Sequence, residues 1–189
     1  MAQSGLDWII VDMEHGAIDL GAAHALIAAT SGTPLVPLVR VPAGAAWHAK
    51  APLDFGAMGI CFPMTTRRSD AEAAVRAVRY PPIGDGLWGP FYAPPRWNLS
   101  MREHLDRADQ AVLAIGTIEH VDALTQRCGT RSSASRPPSC EVRSCSGARP
   151  RASTKATEMI ARGYQALVIG FDWSLLQRGI ASMMDAIRR

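Results

Sequence analysis

The stretch "DWIIVDMEHGAIDL", residues 7–20, decides how this chain is read. Its first half is too continuously apolar for a strand with one wet face, so a parallel strand covered on both sides is predicted over 7–13. Asp12, Glu14 and His15 follow within four positions, and a helix pattern begins near residue 19. A buried strand that ends in two carboxylates and an imidazole suggests a site at a strand terminus.

The same rhythm continues along the chain. Further strand candidates are "TPLVPLVRV" (33–41), "MGICFPM" (58–64), "AVLAIGTIE" (111–119) and "ALVIG" (166–170). Helix patterns lie near 19–30, 46–55, 69–79, 100–109, 155–163 and 173–187. In the third, Ser69 and Glu72 are expected to form a capping box, Val75 and Val78 to share a face, and Pro81-Pro82 to follow its end. Such alternation indicates an α/β fold with right-handed crossovers. No GxGxxG or GxxxxGK[ST] follows a strand, which favours a barrel over an open nucleotide-binding sheet. Barrel active sites are built at the C-terminal ends of strands. Those ends read Asp12, Glu14 and His15, then Arg40, then Glu119. Between the third and fourth strands runs "RYPPIGDGLWGPFYAPPRWN" (79–98), a loop long enough to wall or cover a site.

Composition bounds the remaining choices. At 189 residues and 48% hydrophobic content the chain suits one globular domain. No apolar run approaches the roughly 20 residues of a membrane span, and the N-terminus lacks a signal-peptide pattern, so a cytoplasmic protein without a membrane partner is expected. The net charge of +3 is uneven: residues 127–153 hold six arginines against Glu141 alone, which leaves the rest of the chain net acidic. That segment has no aromatic interleaving, so no nucleic-acid partner is expected. Cys61, Cys128, Cys140 and Cys145 match no zinc spacing and predict no disulfide in a cytoplasmic setting.

The strand-end residues suit chemistry beside a carbonyl. A carboxylate next to histidine can fix the imidazole tautomer for general-base work. Arginine offers a planar fork to a carboxylate or enolate oxygen. Glu119 could ligate a hard divalent ion. His24, His48, His104 and His120 carry no such argument, and Trp88, Phe91 and Tyr92 read as loop packing.

"GLDWIIVDMEHG", "PLVRVP", "GAMGICFPM", "AVRYPPIGDGLWGPFYAPPRWN", "AIGTIEH" and "MIARGYQALVIGFDWSLLQRGI" together closely resemble the HpcH/HpaI aldolase family, over roughly residues 5–126 and 154–188. The resemblance implies a divalent-metal-dependent (class II) pyruvate aldolase on a (β/α)8 TIM barrel, usually a homo-oligomer. Its small-molecule oxo-acid substrates, 2-oxo-3-deoxy or 4-hydroxy-2-oxo acids, would yield pyruvate and an aldehyde, with Mg2+, Mn2+ or Co2+ as cofactor. Carried over by motif, His15 is similar to the general base, with Asp12 supporting it and Asp54 in "PLDFGA" helping to orient it. Arg40 resembles the pyruvate and enolate clamp and Glu119 a metal-ligating carboxylate. Thr117 stands where many members have Gln, at a position that contacts the bound acid.

The resemblance also has gaps. Residues 1–189 read as a single barrel domain whose first, sixth and seventh strands are missing, with 127–153 an irregular, aberrant segment. The family's second metal carboxylate, in a Gly-Pro-x-Asp-Leu type motif, has no counterpart, and no Asp occurs between Asp122 and Ala152. An inactive remnant of the family is therefore the alternative reading. Val142 is the only large aliphatic residue of 127–153, too little to bury against a barrel. This composition leads us to expect a frameshift with an internal deletion in the coding DNA. Sequencing the DNA across codons 120–155 is expected to reveal a frame that restores an apolar strand followed by that motif. If no frame does so, the frameshift account fails.

Overall fold

The computed structural model describes residues 2–86, 89–118, 152–161 and 166–188, which fall into two compact units, Met1–Ser132 and Ser133–Arg189. In the first, strands and helices alternate: β1 Trp8–Asp12, α1 Leu20–Ala28, β2 Val36–Arg40, a 3-10 turn Ala46–Ala49 running into α2 Lys50–Asp54, β3 Gly59–Phe62, α3 Arg68–Ala77, α4 Ala93–Arg96, α5 Met101–Ala111 and β4 Leu113–Gly116. The strands form one parallel sheet in sequential order β1-β2-β3-β4. That order is what successive crossovers of one hand produce in a barrel wall.

Alternation along each strand sorts side chains between two faces. Val11, Val39, Val41, Ile60 and Phe62 meet Ala23, Ile27, Ala49, Ala57, Ala74, Ala77 and Val78 from the helices, and this cluster is the core. Ile10, Asp12, Leu38, Arg40 and Cys61 alternate with those strand residues and belong to the opposite face. β3 is buried throughout, whereas Ile10 of β1 and Leu113 of β4 are about 40% exposed, as expected of strands at the sheet edges. Gly59 is required by close packing between neighbours: a Cβ there would lie 2.7 Å from Leu38 Cδ2 and 3.0 Å from Leu113 Cβ.

Helix starts only partly follow the expected signals. α3 begins at Arg68, and its first turn is held by Asp70, whose Oδ2 accepts from the Arg67 amide at 2.8 Å and the Thr66 amide at 3.1 Å. Ser69 and Glu72 are already inside the helix, and Glu72 pairs with Arg68 at 2.7 Å. Val75 is exposed while Val78 is buried, because Ala74, Ala77 and Val78 face the sheet. The reciprocal capping box occurs instead at α5, where Ser100 and Glu103 each accept the other's amide, at 3.2 and 2.8 Å.

The short helix α4 has no helical periodicity to announce it, and Pro94-Pro95 start it where their missing amides cost nothing. Its residues tie the long loop to α1 and α2. Arg96 Nη1 donates to the Phe55 carbonyl, Arg96 Nη2 meets His24 Nε2 at 2.9 Å, and Trp97 Nε1 donates to the Gly56 carbonyl at 2.9 Å. Because arginine only donates, His24 Nε2 is the acceptor. The His24 ring also meets Phe55 and Tyr92 edge-on, each at 4.8 Å, so this histidine is a packing element.

In the second unit, helices α6 Ala152–Ala161 and α7 Asp172–Ile187 form. The strand expected over 166–170 does not: these residues are irregular. A parallel strand exists only through its ladder neighbours, and the described residues of this unit supply none. Trp173, Leu176, Ile180, Met183 and Ile187 recur at helical spacing on α7 and are exposed. No helix among the described residues is long and apolar enough to cross a membrane. The aberrant segment 127–153 lies outside the described residues apart from the backbone of Ala152 and Ser153 in α6.

Ile60 is fully buried at the centre of the sheet. Ile60→Ala is expected to lower unfolding stability by about 2–5 kcal/mol, seen as a reduced urea midpoint at unchanged m-value. A loss below about 1 kcal/mol would remove β3 from the centre of the core.

Candidate active site

The parallel register places Asp12 and Arg40 as direct partners at the C-terminal ends of β1 and β2. Their side chains form a two-pronged ion pair, Arg40 Nε to Asp12 Oδ1 at 2.8 Å and Arg40 Nη2 to Asp12 Oδ2 at 2.5 Å. Such side-on forks are the strong form of the arginine–carboxylate contact. Asp12 Oδ1 also accepts the amides of Glu14, at 3.0 Å, and His15, at 3.3 Å, so one carboxylate shapes the turn after β1 and orients the guanidinium. The Met13 amide continues the ladder onto the Arg40 carbonyl at 2.9 Å. Gly16 completes the turn: a Cβ there would stand 2.3 Å from the Asp12 carbonyl oxygen. The steric need for this glycine is not visible in "DMEHG" alone.

Glu14 returns to the same guanidinium. Its Oε2 is buried, lies 3.0 Å from Arg40 Nη1 without an aligned hydrogen bond, and is 3.8 Å from His15 Nε2. The His15 side chain is 72% exposed, accessible to a ligand. The expected support of His15 by Asp12 therefore takes a different form. Asp12 contacts the His15 amide, and Glu14 is the carboxylate beside the imidazole.

Burial pushes the Asp12 carboxyl up. The Arg40 hydrogen bond, the two amides and the Arg40 charge outweigh it, so its pKa falls below the ordinary value. Cys61, the register partner of Arg40 on β3, is buried, and desolvation drives its thiol up to about 12 despite the Arg40 charge. It is an inert core thiol at neutral pH.

Thr117 follows β4, its amide and Oγ1 donating to the Phe62 carbonyl at 3.0 and 3.2 Å. Its own carbonyl accepts from the Thr65 amide at 3.0 Å, which ties the ends of β3 and β4. Asp54 stands elsewhere, on α2. It lines a cavity of about 250 Å³ with Lys50, Tyr80, Trp97 and His104, none of which belongs to the strand-end cluster. Burial raises its carboxyl, opposed by Lys50 at 3.7 Å. Glu119, His120 and Trp88 lie outside the described residues.

Among the described residues no three His, Cys, Asp or Glu side chains are grouped to hold a metal ion. Asp12 and Glu14 both face Arg40, whose positive charge opposes a cation at the same oxygens. The described part of the site thus supplies a fixed arginine, two carboxylates and an accessible imidazole, and does not by itself fit a metal.

Because its native pKa lies below the ordinary 3.8, Asp12 stabilises the fold above that value and loses this contribution as pH falls through the native one. Asp12→Asn is expected to cost about 1–3 kcal/mol at pH 7. The gap to wild type should close as urea titrations are taken down through pH 3.8. A gap independent of pH would show that the Asp12 charge is not what holds Arg40.

Residues 1–127 match the HpcH/HpaI aldolase/citrate lyase family. The chain is 35% identical to a hydroxypyruvate/pyruvate aldolase of Pseudomonas aeruginosa over 124 residues, 65% of this chain and 46% of the relative. It is 32% identical to a 2-dehydro-3,6-dideoxy-6-sulfogluconate aldolase of Pseudomonas putida over 124 residues, 66% of this chain and 48% of the relative. The chain thus spans about half the length of the curated relatives it matches. Among solved structures, an HpcH/HpaI aldolase from Desulfitobacterium hafniense aligns with TM-score 0.76 at 23% identity, covering 100% of this chain and 86% of that one. Macrophomate synthase aligns with TM-score 0.75 at 20% identity, covering 99% and 78%. These structural likenesses speak for the α/β fold with its parallel sheet, and the sequence match decides the lineage: the chain belongs to the HpcH/HpaI aldolase/citrate lyase family.

Proposed function

We propose that this chain carries the site of a class II pyruvate aldolase that cleaves 2-oxo-3-deoxy or 4-hydroxy-2-oxo acids to pyruvate and an aldehyde. The observation that carries the reading is the Asp12–Arg40 fork at adjacent parallel strand ends, with the exposed His15 imidazole beside it. In the cleavage direction His15 takes the proton of the C4 hydroxyl. The C3–C4 bond breaks, the aldehyde departs with its new carbonyl, and the electron pair passes to the C2 oxygen of the pyruvate enolate. Arg40, held flat by Asp12, faces that developing charge, an arrangement that stabilises a transition state without reorganisation. Return of the proton to C3 gives pyruvate. A bound Mg2+, Mn2+ or Co2+ would polarise the 2-oxo acid, with Glu119 as its carboxylate in this reading. Thr117 would contact the acid and Asp54 would serve His15, roles that rest on the family motifs. A cytoplasmic homo-oligomer belongs to the same proposal.

A second reading, an inactive remnant, is favoured by the lack of a Gly-Pro-x-Asp-Leu type motif for a second metal carboxylate in the sequence and by the irregular course of 166–170. Exchange of pyruvate methyl protons into deuterated water with Mg2+ separates the two, since enolisation needs the clamp and the base but no aldehyde. The aldolase reading expects exchange that Arg40→Met reduces by about 10²–10³-fold and His15→Ala by about 10²–10⁴-fold. Absence of exchange in the unaltered chain, or exchange that neither substitution changes, would sink it.

A further inference from the structure

We infer that Glu14 is a positioning residue that joins the arginine clamp and the histidine base into one unit, an assignment that rests on the aldolase reading for its catalytic meaning. The Glu14 side chain is only 14% exposed and its Oε2 is buried without an aligned hydrogen bond. A buried carboxylate oxygen left in that state is costly and calls for positive charge nearby. Arg40 Nη1 supplies it at 3.0 Å, and His15 Nε2, at 3.8 Å, adds a second positive charge only when the imidazole has taken up a proton.

The division of labour between the two carboxylates is set by geometry. Asp12 spends both oxygens on the Nε and Nη2 edge of Arg40 and on two backbone amides, so neither is directed at the imidazole. Glu14 approaches the remaining nitrogen, Nη1, and thereby resists rotation of the guanidinium about the edge that Asp12 holds. Counted with Asp12, the two carboxylates exceed the one arginine charge between them. When His15 accepts a proton the imidazolium forms 3.8 Å from Glu14, which supplies a fixed counter-charge on the proton-accepting side of the reaction. Glu14 touches no reacting atom in this scheme; it acts through Arg40 and His15.

The test uses the full chain with Glu14→Gln, which keeps volume and removes charge, and Glu14→Asp, which keeps charge and shortens reach. Side-chain nitrogen NMR of Arg40, assigned with Arg40→Lys, reads the positioning directly and needs neither metal nor turnover. Glu14→Gln is expected to speed rotation of the Arg40 Nη1 group while the Nε–H signal held by Asp12 persists. Unchanged Nη1 behaviour overturns the proposal. In the pyruvate exchange assay with Mg2+, Glu14→Gln is expected to lower kcat by about 10–100-fold with KM for pyruvate changed less than about threefold, and Glu14→Asp to recover part of the loss. A full rate in Glu14→Gln where Arg40→Met and His15→Ala are slowed overturns Glu14 alone. Exchange absent from the unaltered chain overturns the aldolase reading, and the Arg40 signal still decides whether Glu14 positions the clamp.

Discussion

Everything at the candidate site hangs on the pairing of Asp12 with Arg40 across two parallel strands. The two residues are register partners, so their side chains leave neighbouring strands on the same face and at the same height. A slip of one residue would send one of them into the helix-facing core, where a charge has no partner. The ladder therefore fixes the fork, and the fork, through the amides of Glu14 and His15, fixes the turn that presents the imidazole.

The same alternation separates stability from chemistry. Val11, Val39, Ile60 and Phe62 of β1 to β3, with Val41 just after β2, point to the helices and fill the core. Their neighbours, Asp12, Arg40 and Cys61, belong to the other face, where the polar groups gather at the C-terminal ends. Cys61 there stays a buried thiol, and the charged residues of that face, Asp12 and Arg40, are the last residues of β1 and β2. In a closed barrel that face is the interior, which is why the strand termini are where a substrate can be met.

Much of the first unit could be read from residue pattern. The four strands of its sheet, their parallel sense and the helices between them follow from short apolar runs alternating with helical periods. Local signals were weaker. Ser69 and Glu72 fit the capping spacing, yet α3 starts earlier because Asp70 satisfies the amides of Thr66 and Arg67 first. The segment 166–170 has the composition of a strand and is irregular, because strand composition does not provide a neighbour. α4 has no periodicity to find; it is held by Arg96 and Trp97 reaching carbonyls of a distant turn.

The sequence by itself determined the α/β class, the family and the identity of the strand-end residues, since apolar runs and motifs are one-dimensional properties. Only the tertiary structure decided which of these residues act on one another. It gave Arg40 to Asp12, left Glu14 beside the imidazole, and set Asp54 in a separate cavity next to Lys50. The physical reason is that ion pairs and hydrogen bonds depend on distances of about 3 Å between residues far apart in the chain, and strand register sets those distances.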